Sequence, residues 1–190
     1  MKSGLLRQCE KELEQKGKTL TVMCVGESGV GKTSLISNIL TVPISKAPPP
    51  PTKHITDNEI RIKCDGIPLT ATFIDTPGYG DIMQLEKSFY CIGTSHMYID
   101  RRLEKAFRKE NRRVRPDKLD RSSGVGVDAV LYFIAPHRLK KIDLNFLKII
   151  QGRASIIPIL AKADTMTEAE LKTFRALVVK QLADVGFTSS

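Results

Sequence analysis

The chain has 190 residues, with 30 Lys and Arg against 21 Asp and Glu, so its formal net charge is +9. This length suits one globular domain with a sizeable core, and 41% hydrophobic and 27% charged residues exclude a disordered or fibrous protein. The longest apolar stretches are far too short to cross a bilayer, and the four cysteines stand singly, which favours a reduced, cytosolic protein.

The first element is a short amphipathic helix, predicted within residues 1–17. Four apolar side chains share one of its faces at helical spacing: Leu5, Leu6, Cys9 and Leu13. Gly17 ends the helix, as a glycine often does at a C-terminus. We expect this helix to form a segment separate from the domain that follows over residues 18–190.

A phosphate-binding loop is predicted between an apolar strand at Leu20–Val25 and a helix at Ser34–Leu40. Its eight residues are Gly26, Glu27, Ser28, Gly29, Val30, Gly31, Lys32 and Thr33, with Ser34 following. Backbone N–H groups of such a loop wrap the α- and β-phosphates of a nucleotide, and the helix adds its positive N-terminal end. Lys32 can reach the β- and γ-phosphates, and the Thr33 hydroxyl can ligate Mg²⁺. The strand before the loop and the helix after it disfavour the alternative of a turn that binds nothing.

A second candidate site follows a β-hairpin. The exposed loop at 41–56 contains four consecutive prolines, and strands at Glu59–Cys64 and Leu69–Ile74 then flank an Asp-Gly turn. Asp75 ends the second strand, where its carboxylate suits a Mg²⁺ ion held directly or through water. Gly78 leaves its backbone N–H free to approach a γ-phosphate. The alternative interpretation is an ordinary turn capped by an aspartate.

The remaining pattern alternates helices and strands, which predicts an α/β fold with a mostly parallel sheet covered on both faces. Residues 85–113 are helical in pattern with an interruption at Gly93 and Thr94, and Thr167 is a predicted N-cap. The other predicted elements are a strand at Val127–Ala135, a helix at Leu144–Ile150, a strand at Ser155–Ala161 and a helix at Glu168–Leu182.

A base-recognition site is predicted after the last strand. The Asp164 carboxylate could accept hydrogen bonds from N1–H and the exocyclic amine of guanine, whereas adenine presents an acceptor at N1. The aliphatic stem of Lys162 would pack beside the base. A Lys-x-Asp triplet alone is common, but as the third motif in this order it favours GTP over ATP.

The amino-acid sequences of the three motifs resemble those of the septins. The residues that carry the resemblance are Gly26–Thr33, Asp75–Asp81, Ile142–Leu144 and Ala161–Thr165. Two details are distinctive: Tyr-Gly-Asp ends the second motif, and Ala-Lys-Ala-Asp stands where other GTPases have Asn-Lys-x-Asp. The resemblance implies a three-layer, Ras-like P-loop GTPase with one antiparallel edge strand and strand order 2-3-1-4-5. Since a complete core of that kind has another strand and helix, we expect the domain at 18–190 to end before them.

The resemblance also implies a function. Septins bind GTP or GDP with Mg²⁺ and assemble into filaments through an interface that contains the nucleotide. Thr52 falls where septins that hydrolyse GTP carry a threonine of the first switch, so Lys32, Thr52 and Mg²⁺ are expected to serve hydrolysis. Tyr79 stands where Ras-like enzymes carry a glutamine that orients water. We therefore expect hydrolysis to be slow.

Two residues of the loop after the fourth strand complete the candidate site. His137 is the counterpart of a septin histidine that reaches the neighbouring subunit's nucleotide, although the loop is shorter here; a surface histidine is the alternative. Arg138 could act in trans as an arginine finger, which can raise the rate by about 10³–10⁵. Its alternative is a solvated loop cation.

The positive charge is concentrated in two segments. Residues 101–121 hold ten basic and four acidic side chains, and residues 137–153 hold five and one. An acidic face on a neighbouring septin or anionic membrane lipid would suit them, whereas nucleic acid is disfavoured because aromatic residues are only 6% of the chain. We expect a cytoplasmic, cytoskeleton-associated protein with peripheral membrane contact. The alternatives are a regulatory small GTPase that switches an effector and a basic lipid-binding module that retains a nucleotide.

Overall fold

The computed structural model describes residues 17–40, 52–64, 66–79, 85–110 and 126–187. Within these ranges the apolar strands form a five-stranded sheet in the order β2-β3-β1-β4-β5, which confirms the predicted order. The predicted N-terminal helix before Gly17 and the proline run lie outside the described residues. The strands are β1 (Lys18–Gly26), β2 (Thr56–Cys64), β3 (Ile67–Asp75), β4 (Ala129–Ile134) and β5 (Ser155–Leu160).

The sheet is mixed in the way that the sequence predicts. β2 and β3 pair antiparallel in a hairpin with Gly66 in its turn, at a φ of 83° that favours glycine. The β1–β3, β1–β4 and β4–β5 pairs are all parallel. The sheet is therefore mostly parallel with one antiparallel edge strand, β2.

Four α-helices accompany the strands in the described part of the chain. They are α1 (Lys32–Ile39), α2 (Leu85–Glu110), α3 (Lys141–Ile150) and α4 (Glu168–Asp184). The start of α4 confirms the predicted cap, because the Thr167 side chain accepts a hydrogen bond from the Glu170 backbone N–H. Among the described residues, we find no helix with the length and apolarity needed to cross a membrane.

The predicted interruption of α2 is wrong, since this helix runs unbroken from Leu85 to Glu110. A glycine inside a helix costs about 1 kcal/mol relative to alanine, which is the basis of the prediction. Around Gly93, however, the side chains of Ile92, Ser95 and Ile99 are all buried. The burial of this helix face outweighs the low helix propensity of glycine.

The core has two parts because successive side chains of a strand point to opposite faces of the sheet. Along β1, Met23 and Val25 belong to one buried cluster, whereas Cys24 between them belongs to the other. The first cluster includes Ile99 of α2 and Phe146 of α3, and the second includes Ile36 of α1. Helices thus cover both faces of the sheet, which gives the predicted three layers.

The strand register aligns the carboxyl ends of the parallel strands. Cys24 of β1 pairs with Asp75 of β3, and Gly26 pairs with Phe133 of β4. Ile134 of β4 pairs in turn with Leu160 of β5. Consequently the loops after β1, β3, β4 and β5 emerge at one edge of the sheet, where ligands of open α/β sheets bind.

Replacement of Phe146 by alanine tests the core. Its side chain is fully buried and stacks on Tyr132, with ring centroids 5.5 Å apart. Because a large cavity would replace the ring, Phe146→Ala should lower the free energy of unfolding by about 3–5 kcal/mol, measured by urea denaturation. The exposed Leu177 on α4 supplies the control, and Leu177→Ala should change it by less than about 0.5 kcal/mol. Equal effects of the two substitutions would contradict this assignment of the core.

Candidate functional site

The predicted phosphate-binding loop lies between β1 and α1, and its backbone depends on glycine. Gly29 and Gly31 adopt positive φ values of 75° and 100°, which side chains rarely tolerate. These conformations turn the chain directly into α1, whose first helical hydrogen bond runs from the Leu35 N–H to the Gly31 carbonyl over 2.9 Å. The N-terminal end of α1 therefore lies at the loop, which is the arrangement that favours anion binding.

Lys32 lies within this loop and is almost fully buried. Its Nζ donates to the carbonyl oxygens of Gly26 and Glu27 over 3.0 and 2.8 Å. Burial lowers the pKa of Lys32 from its ordinary value, and the negative charge of Asp75 opposes this shift. A cation held in such a poorly solvated place is attracted to phosphate more strongly than a surface lysine.

The turn that follows β3 packs directly against the phosphate-binding loop. The Ser28 N–H donates to the Tyr79 carbonyl over 2.8 Å, and Glu27 and Tyr79 form a parallel β-bridge. A Cβ atom at Gly78 would lie 2.5 Å from the Ser28 Cα and 3.0 Å from the Lys32 Nζ. Only glycine fits there, so the Gly78 backbone lies beside the lysine that is predicted to contact the γ-phosphate.

Two hydroxyl groups and one carboxylate converge next to this turn. The Asp75 Oδ2 accepts hydrogen bonds from the hydroxyls of Thr33 and Thr52 over 2.7 and 3.2 Å. The two hydroxyl oxygens are themselves 3.2 Å apart. The Asp75 Oδ1 is buried and has no hydrogen-bond partner among the residues that the structure describes. A bound cation would satisfy this buried oxygen. Because Mg²⁺ prefers hydroxyl and carboxylate oxygens as ligands, these three residues fit a Mg²⁺ ion.

A buried threonine outside the set of predicted site residues fixes this turn to β1. The Thr76 hydroxyl donates to the Cys24 carbonyl over 2.7 Å, and neither side chain is exposed. Burial, and next the charge of Asp75, raise the pKa of Cys24 to about 12. The Cys24 thiol is therefore neutral and serves packing.

The candidate base-recognition residues follow β5 at the same edge of the sheet. Asp164 lies in a 3-10 helix at Ala163–Thr165, and its side chain is exposed. Lys162 precedes this helix with a φ of 51°, and its carbonyl accepts a hydrogen bond from the Thr165 hydroxyl over 2.7 Å. The Ala161 N–H donates to the Ile134 carbonyl over 2.9 Å, which fixes the start of this segment to β4.

The loop after β4 brings two cations to the phosphate-binding loop. Arg138 Nη2 and Lys140 Nζ lie 2.6 and 2.8 Å from the same carboxylate oxygen of Glu27, whose side chain is only 10% exposed. His137 is exposed, with a φ of 61°. Arg138 is among the residues predicted from the sequence, but Lys140 is not, because a lysine in a basic loop carries no local signal.

A buried hydrogen-bonded cluster that the sequence does not predict contacts this loop. Asp143 Oδ1 accepts hydrogen bonds from the hydroxyls of Tyr79 and Tyr132, the latter over 2.7 Å, and these two hydroxyls also contact each other. Burial, and next the negative charge of Asp143, raise the pKa of Tyr79 above its ordinary value. Burial also raises the pKa of Tyr132. The Tyr79 side chain therefore points into the core and stays uncharged.

The other predicted residues of the phosphate-binding loop divide by exposure. Ser28 and Gly29 are exposed at the tip, and Ser34 is half-buried in the first turn of α1. Val30 is buried and belongs to the cluster that contains Ile36. The loop thus packs through Val30 while its tip faces solvent.

Comparisons with known proteins agree with these observations. The family model described as Septin matches residues 16–188. Cell division control protein 12 of Saccharomyces cerevisiae is 34% identical over 186 residues, which cover 93% of this chain and 44% of that protein. Septin-2 of Bos taurus is 31% identical over 192 residues, or 96% of this chain and 51% of that protein. The chain spans about half the length of these curated relatives.

Solved structures give the same result. The septin GTPase domain from Chlamydomonas reinhardtii superposes with a TM-score of 0.66 at 29% identity, covering 88% of this chain and 61% of that chain. Cdc11 from Saccharomyces cerevisiae superposes with a TM-score of 0.61 at 26% identity, covering 88% and 63%. Because the Septin family model matches nearly the whole sequence and the fold is shared with a solved septin GTPase domain, this chain belongs to the septin family.

Proposed function

We propose that this chain binds GTP and GDP at the edge of the sheet where the loops after β1 and β3 meet. The observation that carries the proposal is that the Gly78 backbone lies against the Lys32 amine while the Asp75 carboxylate bonds to Thr33, the next residue of the loop. Lys32 and the backbone of the phosphate-binding loop would bind the β- and γ-phosphates. The structural relative from Chlamydomonas reinhardtii is a septin GTPase domain, which supports this assignment.

The guanine base is proposed to lie at the loop after β5. The exposed Asp164 carboxylate would accept hydrogen bonds from N1–H and the exocyclic amine, and the Lys162 stem would pack on the ring. This loop emerges at the same edge as the phosphate-binding loop because β4 lies between β1 and β5 in parallel. One nucleotide could therefore reach both sites.

The proposed metal is Mg²⁺, held by Thr33, Thr52 and Asp75 directly or through water. When bound, it would neutralise negative charge on the β- and γ-phosphates as the terminal phosphate is transferred to water. The chain's own contribution is to hold the three oxygen ligands close together, with Lys32 next to Thr33 in the loop.

Hydrolysis is proposed to be slow. Water would attack the γ-phosphorus while its bond to the bridging oxygen breaks, releasing GDP and phosphate. At the position after Gly78, the Tyr79 side chain is buried against Tyr132 and Asp143, so it is turned away from any such water. Thr52 would help to place the water. The action of Arg138 in trans, as an arginine finger from a neighbouring subunit, stays a prediction.

Assembly into filaments through the nucleotide-containing face is the proposed role of nucleotide binding. Relatives named as septins and as a cell division control protein support a cytoplasmic, cytoskeletal protein. His137 lies exposed at this face, where a neighbouring subunit could meet it. We prefer this function to that of a regulatory GTPase acting alone because the family match covers residues 16–188.

Anionic lipid has less support as a partner. In the described residues, Arg102 contacts Asp57 over 2.9 Å, and Arg108 contacts Glu104 over 2.6 Å. Arg153 contacts Asp100 over 2.9 Å. These carboxylates offset part of the positive charge that a lipid headgroup would meet.

The choice of base is tested by Asp164→Asn. The NH₂ group of the asparagine would face the exocyclic amine of guanine, which is also a donor, so the affinity for GTP should fall by up to about 10⁴-fold. Xanthosine triphosphate has a carbonyl oxygen in place of that amine and should bind to the variant more tightly than it does to the wild type. Titration with fluorescent analogues of both nucleotides measures this. Lys32→Ala should weaken both nucleotides equally, and Asp184→Asn, an exposed aspartate on α4, should change neither. Unchanged GTP affinity in Asp164→Asn would refute the assignment.

The role of Thr52 is tested by single-turnover hydrolysis of GTP. Thr52→Ala removes a hydroxyl that lies 3.2 Å from both Thr33 Oγ1 and Asp75 Oδ2, and should slow hydrolysis by about 10²-fold, the cost of misplacing a reacting group. Thr52→Ser should retain most of the rate. Thr173→Ala, on the exposed surface of α4, is the matched control. A rate that Thr52→Ala leaves unaltered would remove Thr52 from the mechanism.

Assembly is tested by analytical ultracentrifugation of the protein with and without GTP. We expect a dimer or longer assembly whose dissociation constant falls when nucleotide is present, and by linkage the assembly should bind nucleotide more tightly than the monomer does. A protein that stays monomeric at every concentration, with or without GTP, would instead favour the regulatory GTPase.

A further inference from the structure

We infer that the Glu27 side chain is a positioning residue for nucleotide binding, held by Lys140 and Arg138 of the loop after β4. The inference rests on the proposed function, because its readout is guanine nucleotide affinity. The Glu27 side chain then has a role of its own, in addition to that of its backbone in the phosphate-binding loop. Arg138 has a partner, Glu27, within its own chain.

The contacts that hold Glu27 all meet at one atom. Arg138 Nη2 and Lys140 Nζ lie 2.6 and 2.8 Å from Glu27 Oε1. The Glu27 side chain is 10% exposed, against 30% for Lys140 and 55% for Arg138. A buried carboxylate that loses its cations retains its desolvation penalty, so Glu27 strongly favours the conformation in which both contacts form. Lys140, the more buried cation, should contribute more than Arg138.

The backbone of Glu27 faces the nucleotide side of the loop. Its carbonyl accepts a hydrogen bond from Lys32 Nζ over 2.8 Å, and the next residue, Ser28, donates its N–H to the Tyr79 carbonyl. A rotation of Glu27 would therefore move both an acceptor of the phosphate-binding lysine and the contact with Tyr79. By holding the side chain, Lys140 and Arg138 order the loop before nucleotide arrives, which reduces the entropic cost of binding.

The same segment also holds the turn after β3. The Lys140 backbone N–H donates to Asp143 Oδ2 over 2.6 Å, and Asp143 Oδ1 accepts from the hydroxyls of Tyr79 and Tyr132. Lys140 thus contacts one of the two loops that are proposed to bind the phosphates, and Asp143 contacts the other. A displaced Lys140 should disturb both loops together.

This role competes with an arginine finger in trans. Arg138 would have to leave Glu27 to reach a neighbouring subunit, and Glu27 would then keep only Lys140. The cis role predicts that loss of Arg138 weakens nucleotide binding in a single chain. The trans role predicts a defect in hydrolysis that a neighbouring chain can correct.

A double-mutant cycle on the full chain tests the inference, with a fluorescent GTP analogue and Mg²⁺ as the probe. Glu27→Gln should weaken binding by about tenfold, and Lys140→Met by a smaller factor because it leaves the contact of Glu27 with Arg138. The double variant should bind no more weakly than Glu27→Gln alone, because that change already breaks the contact with Lys140. Lys140→Arg should restore affinity to within about threefold of the wild type. Lys141→Met, which alters the exposed neighbouring lysine, is the matched control and should have no effect.

Urea denaturation of each variant separates positioning from stability. Two outcomes would overturn the inference and leave the proposed function standing. In one, the affinity losses of the single variants multiply in the double variant; in the other, the single variants are less stable but bind GTP normally. A folded wild type that binds no guanine nucleotide would overturn both. Mixtures of Arg138→Ala with Thr52→Ala, which retains the phosphate-binding lysine, distinguish the two roles of Arg138. Hydrolysis that recovers would assign Arg138 to the trans role and overturn its cis role, whereas hydrolysis that stays defective supports the cis role.

Discussion

The site depends on the direct contact between the phosphate-binding loop and the turn after β3. Ser28 donates its N–H to the Tyr79 carbonyl, and Gly78 leaves no room for a side chain against the Ser28 backbone. This contact requires β1 and β3 to be parallel neighbours, which in turn places β2 at the edge as the antiparallel strand of a hairpin. This hydrogen bond keeps the two loops adjacent, so that one nucleotide bound as proposed would contact both.

Buried charge is concentrated where these loops meet. Lys32, Asp75, Glu27 and Asp143 are all nearly inaccessible to solvent, although burial of a single charged group is costly. Most of that cost is met by partners within the fold: carbonyl oxygens for Lys32, cations for Glu27, and hydroxyl and N–H donors for Asp143. In the described part of the chain, one oxygen of Asp75 has no hydrogen-bond donor. That imbalance distinguishes the proposed ion site from the groups that are already satisfied within the protein.

Much of the fold could be predicted from local patterns. The hairpin and the Thr167 cap are confirmed, because turn residues and capping side chains act over a few residues. The strand order, which the resemblance to septins implies, is confirmed as well. The predicted interruption at Gly93 is wrong, since burial on both sides of the glycine outweighs its low helix propensity. Lys140 could not be predicted, because its partner Glu27 is 113 residues away and one lysine among several in a basic loop has no distinguishing signal.

The sequence by itself determined the chemical groups and their order: a phosphate-binding loop, then Asp75 with Gly78, then Asp164. Each is a short motif whose residue types suffice to suggest its chemistry. Only the tertiary structure decided that Tyr79 points into the core and that Arg138 and Lys140 contact Glu27. The physical reason is that these contacts join residues separated by more than fifty positions, and they exist only once the parallel strands bring their loops to one edge.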